Sequence, residues 1–468
     1  MTTNSIPAAG PRVAVVGGGI VGIILTLALS HRNVSVRLYE QAERFREVGA
    51  GIAFSASARR CMSQMNPRII DALSRCGAVS VSDQDRDEDY LRWVDGYNHK
   101  AGDGDSVIPE RHLAEIGGSG FRGCRRDQFI EELFKELPPG CVEFSKRFDT
   151  FRSEADGTVV LQFFDGTEAN VDAVIGCDGI KSRVRQALFG TEDPASYPQY
   201  THKVAYRGLV PMDKAVDILG KWKANNFHHH VGPGAHLTHY PVANHTALNV
   251  VVFLSDPEPW PQDVGMVTEG SRKDIENFME GWHPMVLGLV KLLPDTLIKW
   301  GLFDTGDFPV AFYNVGNVCI AGDAAHASSP HHGAGACVGI EDALCLSVLL
   351  GDVQDKCETI KEDGSSSFTI SDAIKAAFET YNAVCRPRSQ WLVNSSRRVC
   401  DLYHQEEWAD PRRRIKAETC FEEIRDRSYK IWNFDGAEMA RRAIVELQRR
   451  LGERSDCDKL DIARVNGA

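Results

Sequence analysis

The 468-residue chain predicts an α/β fold: a Rossmann-like dinucleotide-binding domain, an inserted antiparallel sheet, and a helical C-terminal region. Three observations carry this expectation. "RVAVVGGGIVGIILTLALSHRNVSVRLYEQ" runs from an apolar strand through GxGxxG into an apolar helix and a second strand. Between Tyr206 and Phe253, strand-like segments are separated by Gly and Pro turns. After Ser367, apolar residues recur at helical spacing.

In the N-terminal unit, residues 13–16 form the first strand, 20–29 the helix, and 34–39 a second strand ending at Glu40. Gly17 permits a tight turn, Gly19 lets the backbone approach a pyrophosphate, and Gly22 lets the helix close on the sheet. Glu40 follows Gly22 by 18 residues, where a carboxylate accepts from the adenosine ribose and repels a 2′-phosphate. The resident dinucleotide is therefore expected to be FAD or NAD rather than NADP. Gly49 and Gly51 in "FREVGAGIAFSASARRCM" add a second close approach. In "GFRGCRRDQFIEEL" a helix opens with Arg125 and Arg126; one of them lies against a cofactor phosphate or ribose, or both face solvent. "TVVLQFFDGTEANVDAVIGCDGIKSRVRQALFG" reads as a hairpin turning at Asp165-Gly166, a strand at 173–175, and a turn at 176–179 carrying Asp178. In "GNVCIAGDAAHASSPHHGAGACVGIEDA" a short strand delivers Asp323 at its C-terminal end, where open α/β sheets bind ligands. Pro330 follows, and Gly333, Gly335 and Ala336 open a helix whose free N–H groups suit an anion or an electron-rich ring.

The net charge of −12 argues against a general nucleic-acid surface and favours a small-molecule partner. Thirteen cysteines lie at irregular spacings without a CxxC pair, which predicts free thiols in a reducing, cytoplasmic setting. "MTTNSIPAAGPR" is polar and no run of 18 apolar residues occurs, so neither a signal peptide nor a membrane span is expected.

In the inserted sheet, Arg207 sits within apolar "AYRGL" and needs an acceptor: an internal carboxylate or an anionic substrate oxygen. Tyr240 before Pro241 is a core residue with its hydroxyl at an edge, or a substrate contact. His228, His229, His230, His236 and His239 alternate between faces, no carboxylate or cysteine completes a set, and no metal site is expected. "SDPEPWPQDVG" is a surface excursion, and "SRKDIENFMEGWHPMVLGLVKLLP" is helical with a break at Pro284. In the tail, Ile415, Cys420, Ile424 and Ile431 form an apolar stripe on bracing helices, compatible with a monomer or a homodimer. The arginines 412–414 lie among acids and do not suggest nucleic acid. The expected division is a discontinuous FAD domain of residues 10–78, 110–190 and 300–367, a substrate domain of 79–109 and 191–299, and a helical region of 368–468.

The GxGxxG of Gly17, Gly19 and Gly22, the Asp178-Gly179 pair, and the GDAAHxxxPxxGxG of Gly322 to Gly335 occur in an order that resembles the class A, single-component FAD aromatic hydroxylases. That group contains para-hydroxybenzoate and salicylate hydroxylases. Arg126-x-x-Phe129 matches the family arginine near the FAD ribose, and Cys177 stands where many members have alanine. "VAYRGLV", "HVGPGAHLTHYPV" and "SSRRVCDLYHQEEWADPRRRIKAETCFEEI" are similar to fungal polyketide-tailoring monooxygenases of tropolone, sorbicillinoid and azaphilone pathways. The resemblance implies non-covalent FAD and O2, with NADPH as donor and NADH as the alternative. The donor is expected to bind transiently in a non-Rossmann groove. A flavin C4a-hydroperoxide would then hydroxylate an alkylated, resorcinol-type phenolic aldehyde or ketone, with dearomatisation to an ortho-quinol. Arg207 and Tyr240 would hold the phenolate, and His332 would exchange a proton or satisfy loop carbonyls. The alternatives are a ring hydroxylase yielding a catechol, a non-oxygenating FAD oxidoreductase, and a non-catalytic dinucleotide-binding protein.

Overall fold

Arg12–Val16 (β1) is buried from Val13 onward, as a central parallel strand must be when helices cover the sheet. In a computed structural model describing residues 10–44, 51–81, 90–100, 107–262, 264–363 and 368–452, it pairs in parallel with Ser35–Tyr39 (β2) and Ala173–Gly176 (β12). Gly49 and residues 1–9 of the polar leader lie outside the described residues. Val142–Glu143 (β8), Asn314–Val315 (β19) and Val318–Ile320 (β20) complete a six-stranded sheet in the order β19-β20-β12-β1-β2-β8. Register places Val16 beside Gly176 and Gly176 beside Ile320, so the loops after β1, β12 and β20 emerge together at one edge. The helices Ile20–His31 and Gly335–Asp363 pack against each other behind them.

Two smaller sheets flank this core. Gly51–Phe54 (β3), Val79–Ser80 (β4) and Arg122–Arg125 (β7) form one, and Phe148–Ser153 (β9), Val159–Phe163 (β10) and Glu168–Val171 (β11) the other, its hairpin closing at Asp165-Gly166 as expected.

The inserted sheet has eight strands. Its order is Val267–Ser271 (β17), Thr296–Asp304 (β18), Gln199–Pro211 (β13), Ala247–Ser255 (β16), Ala235–Val242 (β15), His228–Gly232 (β14), Tyr90–Asp95 (β5) and His112–Gly117 (β6). Two expectations need correction. The β14–β5 pairing is parallel, because β5 comes from a separate excursion of the chain and is joined by no hairpin. β6 lies inside the stretch 110–190 expected for the FAD domain, and β18 straddles the boundary at 300; both belong to the large sheet, since strand pairing does not respect composition shifts.

Alternation along these strands makes two unlike faces. The outer face, with Val204, Tyr206, Leu237, Val250 and Val252, packs against helices Met212–Ala224, Arg272–Phe278 and Pro284–Lys291. Helix Ile370–Tyr403 opens with a Thr369–Asp372 capping box, and helices Cys420–Trp432 and Gly436–Arg450 follow it. Ile415 departs from the expected stripe at 71% exposure, because the helix breaks at Thr419 and the short Arg414–Glu418 turn buries Ala417 instead. No described helix is long and apolar enough to cross a membrane, and the described cysteines form no disulfide.

The histidines divide between the faces as the alternation requires. A carboxylate nevertheless reaches them, contrary to expectation: buried Glu110 accepts from His230 Nδ1 at 2.6 Å and pairs with Lys223. No three His, Cys, Asp or Glu among the described residues are arranged to hold a metal ion. Burial holds His229, His236, His239 and His404 well below the ordinary histidine pKa. The unfolded chain binds protons at these rings near pH 6.5 and the folded chain does not. Their contribution is therefore complete above that pH and lost as the pH falls, at about 1.4 kcal/mol per group and pH unit. His326 works the other way: burial lowers it, but the charge and hydrogen bond of Asp342 leave a net upward shift. His228, His283, His331 and His332 are also held down, so with eight histidines against one the melting temperature should fall steadily from pH 7 to 5 in thermal scans. A flat or rising profile would show that these rings are not buried neutral.

Candidate active site

A long ligand meets the chain first at the β1 turn. Gly17 has φ of 105°, and a Cβ on Gly22 would stand 2.0 Å from the Gly17 carbonyl oxygen, so helix and turn touch backbone to backbone. Nothing lies within 4 Å of where a Gly19 Cβ would be. No side chain caps the helix there and no acid sits in its first turn, which leaves the N–H groups and the helix dipole for an anion. Glu40 fixes the turn by accepting from Gly18 N at 2.6 Å and Ala42 N at 2.8 Å. Asp178 spends its carboxylate on Ser182 Oγ and on the backbone N–H groups of Arg183 and Val184, capping the helix Arg183–Phe189. Burial pushes its carboxyl above the ordinary value although those donors oppose it. Asp323 is exposed between buried Gly322 and Ala324, aimed out of the fold. Beyond it, Pro330–His332 is a single 3-10 turn ending at left-handed Gly333, and the long helix starts at Gly335 with Ala336 in its first turn.

The inner face of the large sheet confronts these loops in rows set by register. Leu209, Asn249 and Tyr240 form one row, and Arg207, Val251, Thr238 and His229 the next. Ala205, Phe253 and His236 form the third. The first row meets the FAD-side strands: Gly51 N donates to Asn249 Oδ1 at 3.2 Å, and Gly123 lies so close beneath Tyr240 that a Cβ would be 3.2 Å from its ring. Tyr240 stacks on Phe227 at 5.3 Å, and burial raises its phenol above the usual range. Arg207 has no hydrogen bond or ion pair among the described residues, and its buried Nε is unpartnered. The guanidinium lies 5.6 Å from the Trp300 ring centroid. Burial lowers its pKa, while Tyr240 opposes that shift and Arg126, at the start of the helix Arg126–Lys135, adds to it. Among the described residues, the internal carboxylate that the sequence allowed for Arg207 is not found.

The loops after β1 and β20 and the inner face of the large sheet thus bring an anion-binding helix start and an unpaired arginine to one side of the fold, and comparison with known proteins identifies the family. The FAD binding domain family model matches residues 127–396. The FAD-dependent monooxygenase eupB of Phoma sp is 65% identical over 441 residues, covering 93% of this chain and 98% of the relative. Salicylate hydroxylase asL1 of Sarocladium schorii is 62% identical over 440 residues, covering 94% and 91%. The chain belongs to the FAD-dependent aromatic hydroxylase family. A solved salicylate hydroxylase substrate complex superposes with a TM-score of 0.73 at 28% identity, covering 93% of this chain and 98% of that one.

In this monooxygenase the cradle fits FAD: open space at Gly19 and uncapped helix N–H groups follow β1, and exposed Asp323 follows β20 at the same edge of the sheet. Arg207 and Tyr240 come together as the sequence suggested, with Arg126 near enough to repel Arg207. His332 does not join them. Its Nε2 bonds Ser395 Oγ at 2.9 Å, Arg427 donates to the same hydroxyl, and burial brings it down to about 3. Its neighbour His331 lies instead against Phe253 and His236, because successive residues of a 3-10 turn point about 120° apart. Sequence reasoning also missed Asn249, whose Nδ2 is buried without a partner among the described residues. Only strand register reveals that it faces Tyr240.

Proposed function

We propose that this monooxygenase hydroxylates an alkylated, resorcinol-type phenolic aldehyde or ketone and leaves an ortho-quinol. The observation that carries the reading is Arg207, a cation on the inner face of the large sheet without a counter-ion among the described residues, one row from Tyr240. A buried guanidinium without an acceptor is costly, and a phenolate oxygen supplies one through strong charge-assisted hydrogen bonds. FAD, held non-covalently and reduced by NADPH, supplies activated oxygen when bound, chemistry that no side chain offers. The chain does the rest. Arg207 favours the phenolate and so enriches the ring in electrons. Tyr240, kept protonated by burial, donates to the same oxygen, and Val251 and Phe253 exclude water. Glu40, Gly51, Arg126, Asp178, Pro330, Gly333, Gly335 and Ala336 are assigned to holding the cofactor.

Oxygen delivered to a ring carbon bearing an alkyl group cannot be followed by loss of a proton from that carbon, so a hydroxydienone remains. The monooxygenase class itself is supported by the FAD-dependent monooxygenase pigN of Monascus ruber, 42% identical over 441 residues. The similarity to salicylate hydroxylase asL1 favours a second reading, a salicylate hydroxylase-like enzyme releasing a catechol. Product NMR and mass spectrometry with 3-methylorcinaldehyde, FAD, NADPH and O2 separate them. One added oxygen and an sp³ carbon carrying methyl and hydroxyl is the expected result; a fully aromatic catechol rejects dearomatisation. Faster flavin reduction by NADH than by NADPH, with substrate present, would reverse the donor assignment.

A further inference from the structure

The phenol must lose its proton in a cleft that excludes water, and neither anchor takes it: Arg207 is already a cation, and burial keeps Tyr240 protonated. On the third row of the cleft floor stands His236, fully buried, stacked on Phe253 at 4.4 Å and facing His331 at 5.4 Å. Its Nδ1 is 2.7 Å from His404 Nε2, and His404 Nδ1 is 3.2 Å from the hydroxyl of half-buried Ser255. The remaining ring nitrogen, His236 Nε2, is buried with no partner among the described residues. On the far side of this wall an open cavity of about 280 Å³ is lined by Lys203, Ser329, His331 and Cys400 among others.

In neutral imidazoles each ring has one donor and one acceptor. If Ser255 Oγ accepts from His404 Nδ1, His404 Nε2 must accept from His236 Nδ1, which leaves His236 Nε2 as a bare acceptor. We propose that His236 takes the phenol proton at Nε2 and passes its Nδ1 proton through His404 to Ser255, so that this chain performs the exchange expected of His332. The inference rests on the proposed phenolic substrate. The phenol O–H bond breaks and an N–H bond forms at His236 Nε2. His236 Nδ1–H moves to His404 Nε2, His404 Nδ1–H moves to Ser255 Oγ, and the Ser255 hydroxyl proton leaves to water. The phenolate stays with Arg207, and no electrons are gained or lost. The groups facing His236 are His229, His331, Tyr403 and His404, while Lys203 and Cys400 lie beside His404. Burial holds both relay rings well below the ordinary value, with the neighbouring imidazoles adding to it, so neither rests as a cation. A concerted transfer needs no lasting imidazolium.

Anaerobic stopped-flow mixing of FAD-loaded enzyme with 3-methylorcinaldehyde, followed at the phenolate band, reads the step directly. His236→Gln and His404→Gln should slow phenolate formation by at least about tenfold, within the span of general-base contributions. A ring-fluorinated analogue, already ionised at the assay pH, should react at the wild-type rate in the same variants. Ser255→Ala, at a half-buried site, should give a smaller slowing with the same rescue, and it keeps the test open if a histidine variant fails to hold FAD. Equal slowing on both phenols means that the rings only pack the wall, and no slowing on either means that the proton leaves elsewhere; each overturns the relay. A wild-type enzyme that holds FAD but forms no phenolate and consumes no oxygen with phenolic aldehydes overturns the proposed substrate, and the relay with it.

Discussion

Arg207→Gln is expected to keep its FAD, bind substrate more weakly, and transfer oxygen between about tenfold and a thousandfold more slowly. The lack of an ion pair makes this prediction sharp. Removing one partner of a buried salt bridge strands the other charge and destabilises the fold. Arg207 has no such partner among the described residues, so the neutral amide should leave the melting temperature unchanged or raise it. What disappears is the stabilisation of an anionic oxygen. The free phenol ionises as the pH rises, so the variant should recover part of its rate in alkaline buffer while the wild type gains less. Tyr240→Phe should be milder, because a phenol kept protonated by burial positions an oxygen that Arg207 already holds. Flavin absorbance titrations, kcat/KM profiles against pH, and thermal scans check each part. Loss of FAD, or a melting temperature several degrees lower in Arg207→Gln, would make the arginine a structural residue.

What could be read from the sequence was what local chemistry fixes. The turn at Gly17, the hairpin at Asp165-Gly166 and the exit of β20 into Asp323 each depend on residues within one short stretch, and each sits where it was expected. Arg207 stood out because a charge in an apolar strand demands a partner, whereas Tyr240 was equally readable as a core residue and took its expected role only from the family resemblance. Their neighbours were not. Asn249 meets Tyr240, and Val251 meets Arg207, through a strand register that no residue on its own strand announces. Glu110 reaches His230 across 120 positions, because the chain enters the sheet from an earlier excursion. His331 and His332 are chemically identical in sequence, and only the 3-10 turn that carries them decides which ring meets the large sheet and which meets Ser395. Ile415 failed for a related reason: helical spacing was extrapolated through Thr419, where one helix ends and the next begins.

Gly22→Ala and Gly19→Ala should separate what the two glycines do, and the first has the larger effect. An alanine Cβ at position 22 would stand 2.0 Å from the Gly17 carbonyl oxygen, far inside contact distance, and 3.3 Å from the Cys177 Cβ. The turn has no room to retreat. Gly17 itself lies where a Cβ would be 2.5 Å from the Cys177 carbonyl oxygen, so the loops after β1 and β12 already touch. Alanine gains about 0.5–1 kcal/mol over glycine inside a helix, and forced overpacking costs about 1–3 kcal/mol, so the clash wins. The apo-protein should melt lower, and the preparation should be colourless. At Gly19 the balance reverses, because nothing stands within 4 Å of the added methyl. Gly19→Ala should therefore melt like wild-type apo-protein, while the rise in melting temperature on adding FAD, which measures binding to the folded state, shrinks or vanishes. Flavin absorbance with thermal scans at several FAD concentrations tests the pair. A Gly19→Ala protein that binds FAD as tightly as wild type would mean that the pyrophosphate does not approach the backbone there.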